Sequence, residues 1–349
     1  MHINSKKILM KVRTKDITLL QEYINSQQSI TIITHFNPDG DAVGSSCALY
    51  HYFNSLNKDV QVILPNYVPY SLKFLLENVN HIVAEADFKQ ARKRLQSTDV
   101  LIIADMNNNS RSGDSLEKVL NEIDCKTVLI DHHEQPEKYD ISFSYPTSSS
   151  TCEVVWNVFN RLTKKKVFSQ DISICLYSGI MTDTGSLSYS CNNPELYVVI
   201  SNLLKSGIKA NRVNQKLFNT YTHSRLNLLG YAISKKLRVF EKQRAAFIFL
   251  SVEELDKYNY QPGDLEGVVN YCLKLENIDF CALISERDNK IRMSFRSKDE
   301  NIDVNKFARK YWNGGGHIMA AGGKSFKSLQ EVVKTFTGQI YNNDFIVKD

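Results

Sequence analysis

Short, continuous apolar runs alternate with helical segments along the first half of the chain, and this alternation narrows the choice of fold more than any other feature. Buried strands are short and rich in β-branched residues, and four runs have this character: SITIITHF, VQVIL, DVLIIAD and KTVLIDHH. Helical spacing of apolar residues follows the first three, in DAVGSSCALYHYFNSL, YSLKFLLENV and SLEKVLNEI. We therefore expect an α/β domain in which helices cover both faces of a parallel sheet.

The second half of the chain continues as helices and then changes to strands. The helices are expected at CEVVWNVFNRL, DISICLYSGIMTDTG and PELYVVISNLLKSG. Strands are expected at RAAFIFLSV, FCALISE and IRMSFRS, with helices at DLEGVVNYCLKL, VNKFARKYW and SLQEVVKTFTGQI. Because 349 residues suit two domains, we expect a first domain over residues 1–200, a helical linker over 201–225 and a smaller α/β domain over 226–349.

Charge, cysteine content and the length of apolar runs restrict the class of protein. The formal net charge of +5 permits an anionic substrate without requiring one. The seven cysteines include no C-x-x-C pair, which argues against a disulfide framework and a thiolate zinc site and favours a reducing compartment. The opening stretch MHINSKKILMKVR lacks the apolar core of a signal peptide, and no apolar run reaches the roughly 18 residues of a membrane helix. We expect a cytoplasmic protein with no membrane segment.

Polar residues that suit a metal ion follow the predicted strands of the first domain. The stretch HFNPDGD comes directly after the first strand, and Pro38 and Gly40 would bend it so that its carboxylates converge. In a parallel sheet, ligands bind beyond the carboxyl ends of the strands, so residues distant in the chain meet at one edge. The candidates are His35, Asp39, Asp41, Asp105 and His132, with Asp183 arriving from a helix end.

The chemistry of this set favours two divalent cations. Four carboxylates and two imidazoles without a thiolate suit Mn²⁺, Mg²⁺ or Co²⁺ better than structural zinc. Six ligands are more than one catalytic ion needs, whereas two ions about 3.5–4 Å apart with one bridging carboxylate would use them all. NPDGD alone is typical of an ordinary turn and DHH alone of a surface feature, so the prediction depends on the joint pattern.

Basic and glycine-rich segments indicate where an anion could bind. A guanidinium suits phosphate recognition, and Arg111 and Arg296 are the candidates, the first because it follows Asp105 closely. The stretch GGGHIMAAGGKS is not a P-loop, because Ile318 stands where the first glycine of that motif is required. The glycines Gly314, Gly315 and Gly316 would let backbone amides approach an anion, although a hinge loop explains them equally well.

Five motifs in this order resemble the DHH/DHHA1 phosphoesterases, and most of all the bifunctional oligoribonuclease (nanoRNase) and pAp phosphatase branch. They are HFNPDGDAVGS, ADMNNNSRSG, IDHHE, MTDTGSLSYS and GGGHIMAAGG, and the resemblance spans about residues 20–340. It implies two domains with an active site in the cleft between them. It also implies that one ion, usually Mn²⁺, is bound by His35 and Asp39, the other by Asp41, His132 and Asp183, and that Asp105 bridges them.

The resemblance also implies roles for residues outside the metal set. His133 would contact the scissile phosphate or assist the leaving group, which makes Asp105, Arg111 and His133 the expected catalytic residues. Arg296 and the Gly314–Gly316 loop with His317 would hold the phosphate or base of the nucleotide, with Glu266 nearby. Members of the family often carry an asparagine shortly after the DHH motif, and this sequence has none there. Leucine often follows the arginine of the second motif, and here that position is Ser112. Neither departure touches an expected ligand, but both bear on the substrate.

We expect hydrolysis of short single-stranded RNA or DNA oligonucleotides, of the nucleotide bisphosphate 3′-phosphoadenosine 5′-phosphate (pAp), or of both. Trp312 or Tyr271 could stack on bases, although both are also typical core residues. Two alternatives stay open: a phosphodiesterase for cyclic or linear dinucleotides, and a nucleotide sensor without turnover. A homodimer is expected from the resemblance alone.

Overall fold

The computed structural model describes residues 12–347, so the predicted absence of a leader falls almost entirely outside the described residues. The chain forms two compact units that divide between Thr220 and Tyr221, inside the segment predicted as a linker. Within residues 12–347, no helix combines the length and apolar character needed to cross a membrane. All seven cysteines are free thiols.

The first unit is built on a six-stranded sheet in which every pair of neighbouring strands is parallel. The strands are β1 (Ser29–Ile33), β2 (Asp59–Leu64), β3 (His81–Val83), β4 (Val100–Ala104), β5 (Lys126–Asp131) and β6 (Ile141–Ser144). Their order is β3-β2-β1-β4-β5-β6, so the chain reverses its direction of winding between β1 and β4. A sheet of this order opens a crevice for ligands at that reversal.

Helices cover both faces of this sheet, as the sequence predicts. One face carries six helices: α1 (Thr14–Ser26), α2 (Gly40–Asn54), α5 (Thr151–Thr163), α6 (Gln170–Asp183), α7 (Pro194–Leu204) and α8 (Ala210–Phe218). The other face carries α3 (Phe88–Gln96) and α4 (Asp114–Leu120). Because both faces are covered, the central strand β4 is buried and apolar at every position, and β1 is buried from Ile30 to Ile33 rather than alternating.

Side-chain caps set where the helices beneath the metal-ligand motifs begin. Asp39 caps α2 by accepting the amides of Asp41 and Ala42. Ser150 caps α5 by accepting the amide of Glu153, and Ser169 caps α6. Such caps satisfy amides that a helix leaves without an internal partner, so these short polar residues determine the first turn of each helix.

Helices α2 and α6 pack so closely that only glycine fits at their contact. A Cβ on Gly44 would lie 2.5 Å from the carbonyl oxygen of Cys175, and one on Gly179 would lie 2.8 Å from Oδ1 of Asp41. A Cβ on Gly40 would meet Thr182 at 2.2 Å. These glycines bring the first turn of α2 next to the last turn of α6, where two of the expected ligands lie.

The second unit is a mixed sheet between two layers of helices. Its strands are β7 (Leu237–Phe240), β8 (Ala245–Leu250), β9 (Phe280–Arg287), β10 (Lys290–Ser297), β11 (Gly315–His317) and β12 (Ala320–Ser325), in the order β11-β12-β10-β9-β8-β7. Only β8 and β9 pair in parallel. One face carries α9 (His223–Tyr231), α10 (Val252–Lys257) and α11 (Val268–Leu273). The other carries α12 (Val304–Tyr311) and α13 (Leu329–Tyr341).

Several local predictions differ from the structure. The expected helix YSLKFLLENV is a 3₁₀ helix over Tyr70–Leu76, and the helix expected at DLEGVVNYCLKL begins only at Val268. The linker contains α8 and α9 with a break between them, because Thr222 caps a new helix there. Trp312 packs in an aromatic core, the alternative that its residue type favoured over stacking on a base.

Candidate metal centre

The carboxyl edge of the first sheet collects the expected ligands at the reversal of strand order. His35 follows β1 and Asp105 follows β4, the two strands that flank the reversal. His132 follows β5 directly. Asp41 lies in the first turn of α2, and Asp183 is the last residue of α6. The topology of the sheet thus brings together side chains that are up to 148 positions apart in the chain, from His35 to Asp183.

The first group of ligand atoms surrounds His35. Its Nε2 lies 3.4 Å from Oδ2 of Asp105 and 3.9 Å from Oδ1 of Asp39. Its Nδ1 lies 3.0 Å from the carbonyl oxygen of Phe36, which leaves Nε2 for the carboxylates. His35, Asp39 and Asp105 form one of the sets whose ligand atoms lie close enough to share a cation.

The second group surrounds His132. Its Nε2 lies 3.5 Å from Oδ2 of Asp183, 3.7 Å from Oδ1 of Asp105 and 3.8 Å from Oδ2 of Asp41. The opposite ring nitrogen, Nδ1, lies 3.3 Å from the carbonyl oxygen of Ser148. Asp41, Asp105 and His132 form a second set of the same kind. Asp105 therefore belongs to both groups and presents a different oxygen to each histidine.

The distances between the imidazole nitrogens and the carboxylate oxygens suit a divalent cation between these atoms better than direct hydrogen bonds from one to the other. Bonds of about 2.1 Å from a central ion to oxygen or nitrogen place neighbouring ligand atoms roughly 3–3.5 Å apart. The separations from Nε2 of each histidine to the carboxylates are 3.4–3.9 Å, beyond the usual length of a hydrogen bond. The donor set contains only oxygen and imidazole nitrogen, which suits Mn²⁺ or Mg²⁺.

The electrostatics of the buried groups also favour added positive charge. Burial raises the pKa of Asp41 well above its ordinary value, and the nearby charges of Asp105 and Asp183 raise it further. Burial also disfavours ionisation of Asp105, but the close approach of the imidazoles of His35, His133 and His132 outweighs it and lowers its pKa. Carboxylates this close together cannot all stay ionised without a cation among them.

The backbone of Asp105 adopts a conformation that non-glycine residues rarely use. Its φ is 58°, in the left-handed region, and its amide donates to the carbonyl oxygen of Ile130 at 3.1 Å. Such a conformation costs free energy, on the order of 1–3 kcal/mol, and persists only where its surroundings hold it. Here it turns the carboxylate of Asp105 into the space between the two histidines.

His133 has a different environment from His132. Its Nδ1 lies 2.7 Å from Oδ1 of Asp131, a hydrogen bond that leaves Nε2 at the other side of the ring. Burial lowers the pKa of His133, and the charge of Arg111 lowers it further, although the hydrogen bond to Asp131 opposes them. The sequence motifs predicted a role for His133, but they did not predict that Asp131 is its hydrogen-bond partner. A buried aspartate two residues before a histidine is the signal that could have indicated it.

Arg111 lies in a 3₁₀ turn, Asn109–Ser112, after β4. The amide of Phe36 donates to the carbonyl oxygen of Arg111 at 2.7 Å, which ties this turn to the loop that carries His35. The Nη1 atom of Arg111 is buried and has no hydrogen-bond partner among residues 12–347. A buried guanidinium nitrogen with an open position suits an anionic oxygen.

A segment that the sequence analysis did not single out contacts three of the ligands. It is Ser148–Glu153, which spans the start of α5. The amides of Thr151 and Cys152 donate to the two oxygens of Asp41 at 2.6 and 2.9 Å, and the hydroxyl of Thr151 donates to Oδ1 of Asp105 at 2.9 Å. These contacts join residues more than 40 positions apart, so no local motif signals them.

In the second unit, the structure aligns Arg296 and His317 in one row of the sheet. Each is paired in register with Ala320, Arg296 from β10 and His317 from β11. Directly opposed residues of antiparallel strands point to the same face, so the two side chains share a face, with only the short side chain of Ala320 between them. Glu266 lies before the first turn of α11, on the surface.

Close backbone contacts require glycine at Gly314 and Gly316, whereas a Cβ on Gly315 would meet no atom closer than 3.4 Å. A Cβ on Gly314 would lie 1.9 Å from the carbonyl oxygen of Gly322. The amide of Gly314 donates to the carbonyl of Ala308, and that of Gly316 donates to Oδ1 of Asn305 at 3.0 Å. The stretch is a strand end rather than a hinge loop, and two of its amides are already engaged by the protein, so they do not act as the predicted anion cradle in this structure.

Comparison with known proteins identifies the two units. Residues 29–180 match the N-terminal domain of the DHH family, and residues 244–342 match the DHHA1 domain. An exopolyphosphatase-related protein from Bacteroides fragilis is 35% identical, with a TM-score of 0.88 over 96% of this chain and 98% of that chain. The chain belongs to the DHH family.

Other similar proteins differ in how much of their length the chain matches. A probable bifunctional oligoribonuclease and PAP phosphatase NrnA from Streptococcus mutans is 27% identical over 88% of this chain and 93% of its own length. RecJ from Thermus thermophilus, solved in complex with Mn²⁺, matches with a TM-score of 0.55 at 11% identity, over 96% of this chain but 55% of RecJ. This last likeness is one of fold alone.

Proposed function

We propose that the protein is a metal-dependent phosphoesterase that hydrolyses short single-stranded oligonucleotides and pAp. The observation that carries the proposal is the pair of ligand groups that share Asp105, in a chain of the DHH family. The substrate class is supported by relatives such as the Streptococcus mutans protein, whose name describes an oligoribonuclease and PAP phosphatase and which the chain matches over nearly its whole length.

We assign the two ligand groups to two divalent cations, most suitably Mn²⁺. His35 and Asp39 would hold one ion, Asp41, His132 and Asp183 the other, and Asp105 would offer Oδ2 to the first and Oδ1 to the second. Ions bound there would activate a water for attack on phosphorus and neutralise charge on the phosphoryl oxygens.

The remaining residues of the first unit would position the phosphate and move a proton. Arg111 would direct its buried Nη1 at a phosphoryl oxygen, because that atom has no partner within the described residues. His133, oriented through Nδ1 by Asp131, would present Nε2 to the leaving oxygen and, in its imidazolium form, give that oxygen the proton from Nε2 and return to the neutral ring. The leaving oxygen departs as a hydroxyl, and a phosphomonoester or free phosphate remains.

We assign the face of the second sheet that bears Arg296 and His317 to substrate binding. The two side chains share one row of that face, with the small residue Ala320 between them, which leaves room for a phosphate or a base. A planar guanidinium pairs well with phosphate, and an imidazole can donate to a phosphate or a base edge.

A substrate panel tests the proposal. The full-length chain with Mn²⁺ is incubated separately with a five-nucleotide RNA, pAp, a cyclic dinucleotide, a linear dinucleotide and polyphosphate, and products are separated by chromatography. We expect mononucleotides from the RNA and AMP from pAp. The Asp105→Ala variant, purified in parallel, excludes a contaminating nuclease.

Each other outcome of the panel points to one alternative. Turnover of the dinucleotides alone would replace the proposal by a dinucleotide phosphodiesterase. Turnover of polyphosphate alone would replace it by the activity that the name of the Bacteroides fragilis relative suggests. Tight nucleotide binding without turnover of any substrate would favour a sensor.

A further inference from the structure

The segment Ser148–Glu153 lies between β6 and α5 and is buried along its whole length. It is held by its own polar side chains. Glu153 accepts the amide and the hydroxyl of Ser149, both at 2.8 Å, and Ser150 caps the helix by accepting the amide of Glu153. Because Ser149, Ser150 and Glu153 are buried and bonded to one another, the segment presents its other groups to the ligands in one arrangement.

The groups that the segment presents contact His132 and Asp41, which belong to the second ligand group, and Asp105, which belongs to both. The carbonyl of Ser148 faces Nδ1 of His132, and the amides of Thr151 and Cys152 hold Asp41. The hydroxyl of Thr151 reaches Asp105, the ligand that belongs to both groups. Three of these four groups belong to the backbone, and only the Thr151 hydroxyl is a side chain that substitution can remove.

The hydroxyl of Thr151 contacts one particular oxygen of Asp105. It donates to Oδ1 at 2.9 Å, the oxygen that faces His132, and not to Oδ2, which faces His35. A carboxylate is free to rotate about its Cβ–Cγ bond unless a neighbour fixes it. The hydrogen bond to one oxygen therefore determines the rotation that lets the two oxygens face two different histidines.

We propose that Thr151 is a positioning residue that orients the bridging carboxylate of Asp105 for both cations. The inference rests on the proposed metal centre and extends it to a residue outside the ligand set. Thr151 is fully buried and lies at the first position of α5, so its hydroxyl is fixed by the helix rather than by solvent. Partners in this second layer commonly set how well the ligands bind their metal.

The test measures metal binding and needs no substrate. Full-length protein is stripped with a chelator and titrated with Mn²⁺ by calorimetry, for the wild type, Thr151→Val, Thr151→Ser and Thr98→Val. Valine keeps the shape of threonine without its hydroxyl, and serine keeps the hydroxyl. Thr98 is the matched control, because its buried hydroxyl donates to the carbonyl of Val100 at 3.1 Å at the opposite end of β4.

We expect Thr151→Val to weaken Mn²⁺ binding by about 10- to 100-fold, while Thr151→Ser and Thr98→Val stay close to the wild type. An unchanged isotherm for Thr151→Val would overturn the role of Thr151 and leave the proposed function standing. Equal losses in Thr151→Val and Thr98→Val would assign the effect to general destabilisation and overturn it too.

Two further outcomes are also decisive. A wild-type chain that binds no Mn²⁺ would overturn the metal centre together with the role of Thr151. If Thr151→Val does not fold, Thr151→Ala is titrated in its place, with Thr98→Ala as its control. Wild-type affinity in the alanine variant would then count against the proposal, and weakened affinity restored in Thr151→Ser would support it.

Discussion

At the scale of the residue, the role of Asp105 follows from its contacts with His35, His132 and Thr151. Its Oδ2 faces His35, its Oδ1 faces His132, and the hydroxyl of Thr151 donates to Oδ1. Its side chain is 3% exposed, so water does not compete for these contacts. A carboxylate placed in this way can serve both ligand groups at once, which no other member of the set does.

Replacing Asp105 by asparagine should therefore affect both proposed cations. Loss of several kcal/mol of transition-state stabilisation corresponds to roughly 1000-fold or more in rate, so we expect kcat/KM to fall by at least that factor. Calorimetry should show weakened binding of two Mn²⁺ equivalents. The matched control is Asp99→Asn, because Asp99 accepts backbone amides at the opposite end of the sheet. Retention of normal turnover in Asp105→Asn would contradict the bridging role.

His133 should behave differently from the ligands, because its Nδ1 is engaged by Oδ1 of Asp131 at 2.7 Å and lies farther, 3.6 Å, from Oδ1 of Asp105. We expect His133→Ala to lower kcat by about 100- to 10,000-fold, the usual contribution of a proton-transfer group, with Mn²⁺ stoichiometry unchanged. His81→Ala is the control, since that histidine lies at an exposed edge strand and its Nδ1 contacts the carbonyl of Val79. A loss of bound Mn²⁺ in His133→Ala would show that His133 is itself a ligand.

Residue types at strand ends were enough to predict that His35, Asp105 and His132 lie close together, since the topology of a parallel sheet brings those ends together. The surrounding contacts were not predictable in this way. Thr151 and Asp105 are 46 positions apart, and Thr151 and Asp41 are 110 apart. Their meeting depends on how α5 enters the fold, which no spacing rule contains. The same holds for Gly314 and Gly316, whose steric role appears only once β12 is paired.

At the scale of the element, the close contact of α2 and α6 positions two of the ligands. Gly44 and Gly179 allow the helices to approach, and Asp41 and Asp183 lie at the ends that meet. A Cβ on Gly179 would meet Sγ of Cys152 at 2.2 Å as well as the carboxylate of Asp41. Any added atom must therefore push the helices apart or displace a ligand.

The change Gly179→Ala should lower both stability and metal affinity. Overpacking of a filled core costs about 1–3 kcal/mol, and we expect a loss in that range from urea denaturation followed by circular dichroism. The control Gly230→Ala, in α9, has nothing within 4 Å of the added Cβ and should be neutral or slightly stabilising. A Gly179→Ala protein with unchanged midpoint and unchanged Mn²⁺ affinity would show that the helices can separate at no cost.

The elements themselves were predictable to different degrees. The strands β1, β2, β4 and β5 each carry a run of buried β-branched and aliphatic residues, a pattern that needs no tertiary information. The short strands β3 and β11 and the glycine-containing β12 have no such pattern, because pairing with a neighbour rather than composition makes them strands. The 3₁₀ helix over Tyr70–Leu76 has apolar residues at the spacing of an α-helix, but its backbone completes a turn every three residues.

At the scale of the whole molecule, the proposed centre links folding, protonation and metal binding. Burial lowers the pKa of His35 and of His132, but the surrounding carboxylates outweigh burial and leave both pKa values raised. In the metal-free protein, protonated imidazoles therefore offset the buried carboxylates. Their contribution to stability is complete below the unfolded pKa of about 6.5 and is lost as the pH rises through the raised folded pKa.

Mn²⁺ must displace these protons, so its affinity and its stabilisation of the fold should increase over the same pH interval. Each proton released changes the affinity by up to about tenfold per pH unit, or about 1.4 kcal/mol. A stabilisation of 1 kcal/mol raises Tm by about 2–4 °C for a unit of this size. The gap in Tm between Mn²⁺-loaded and chelator-treated protein should thus widen by several degrees from pH 6 to pH 8. In Asp105→Asn the gap should be small at both values, and a wild-type gap that narrows with rising pH would contradict the proton-linked metal centre.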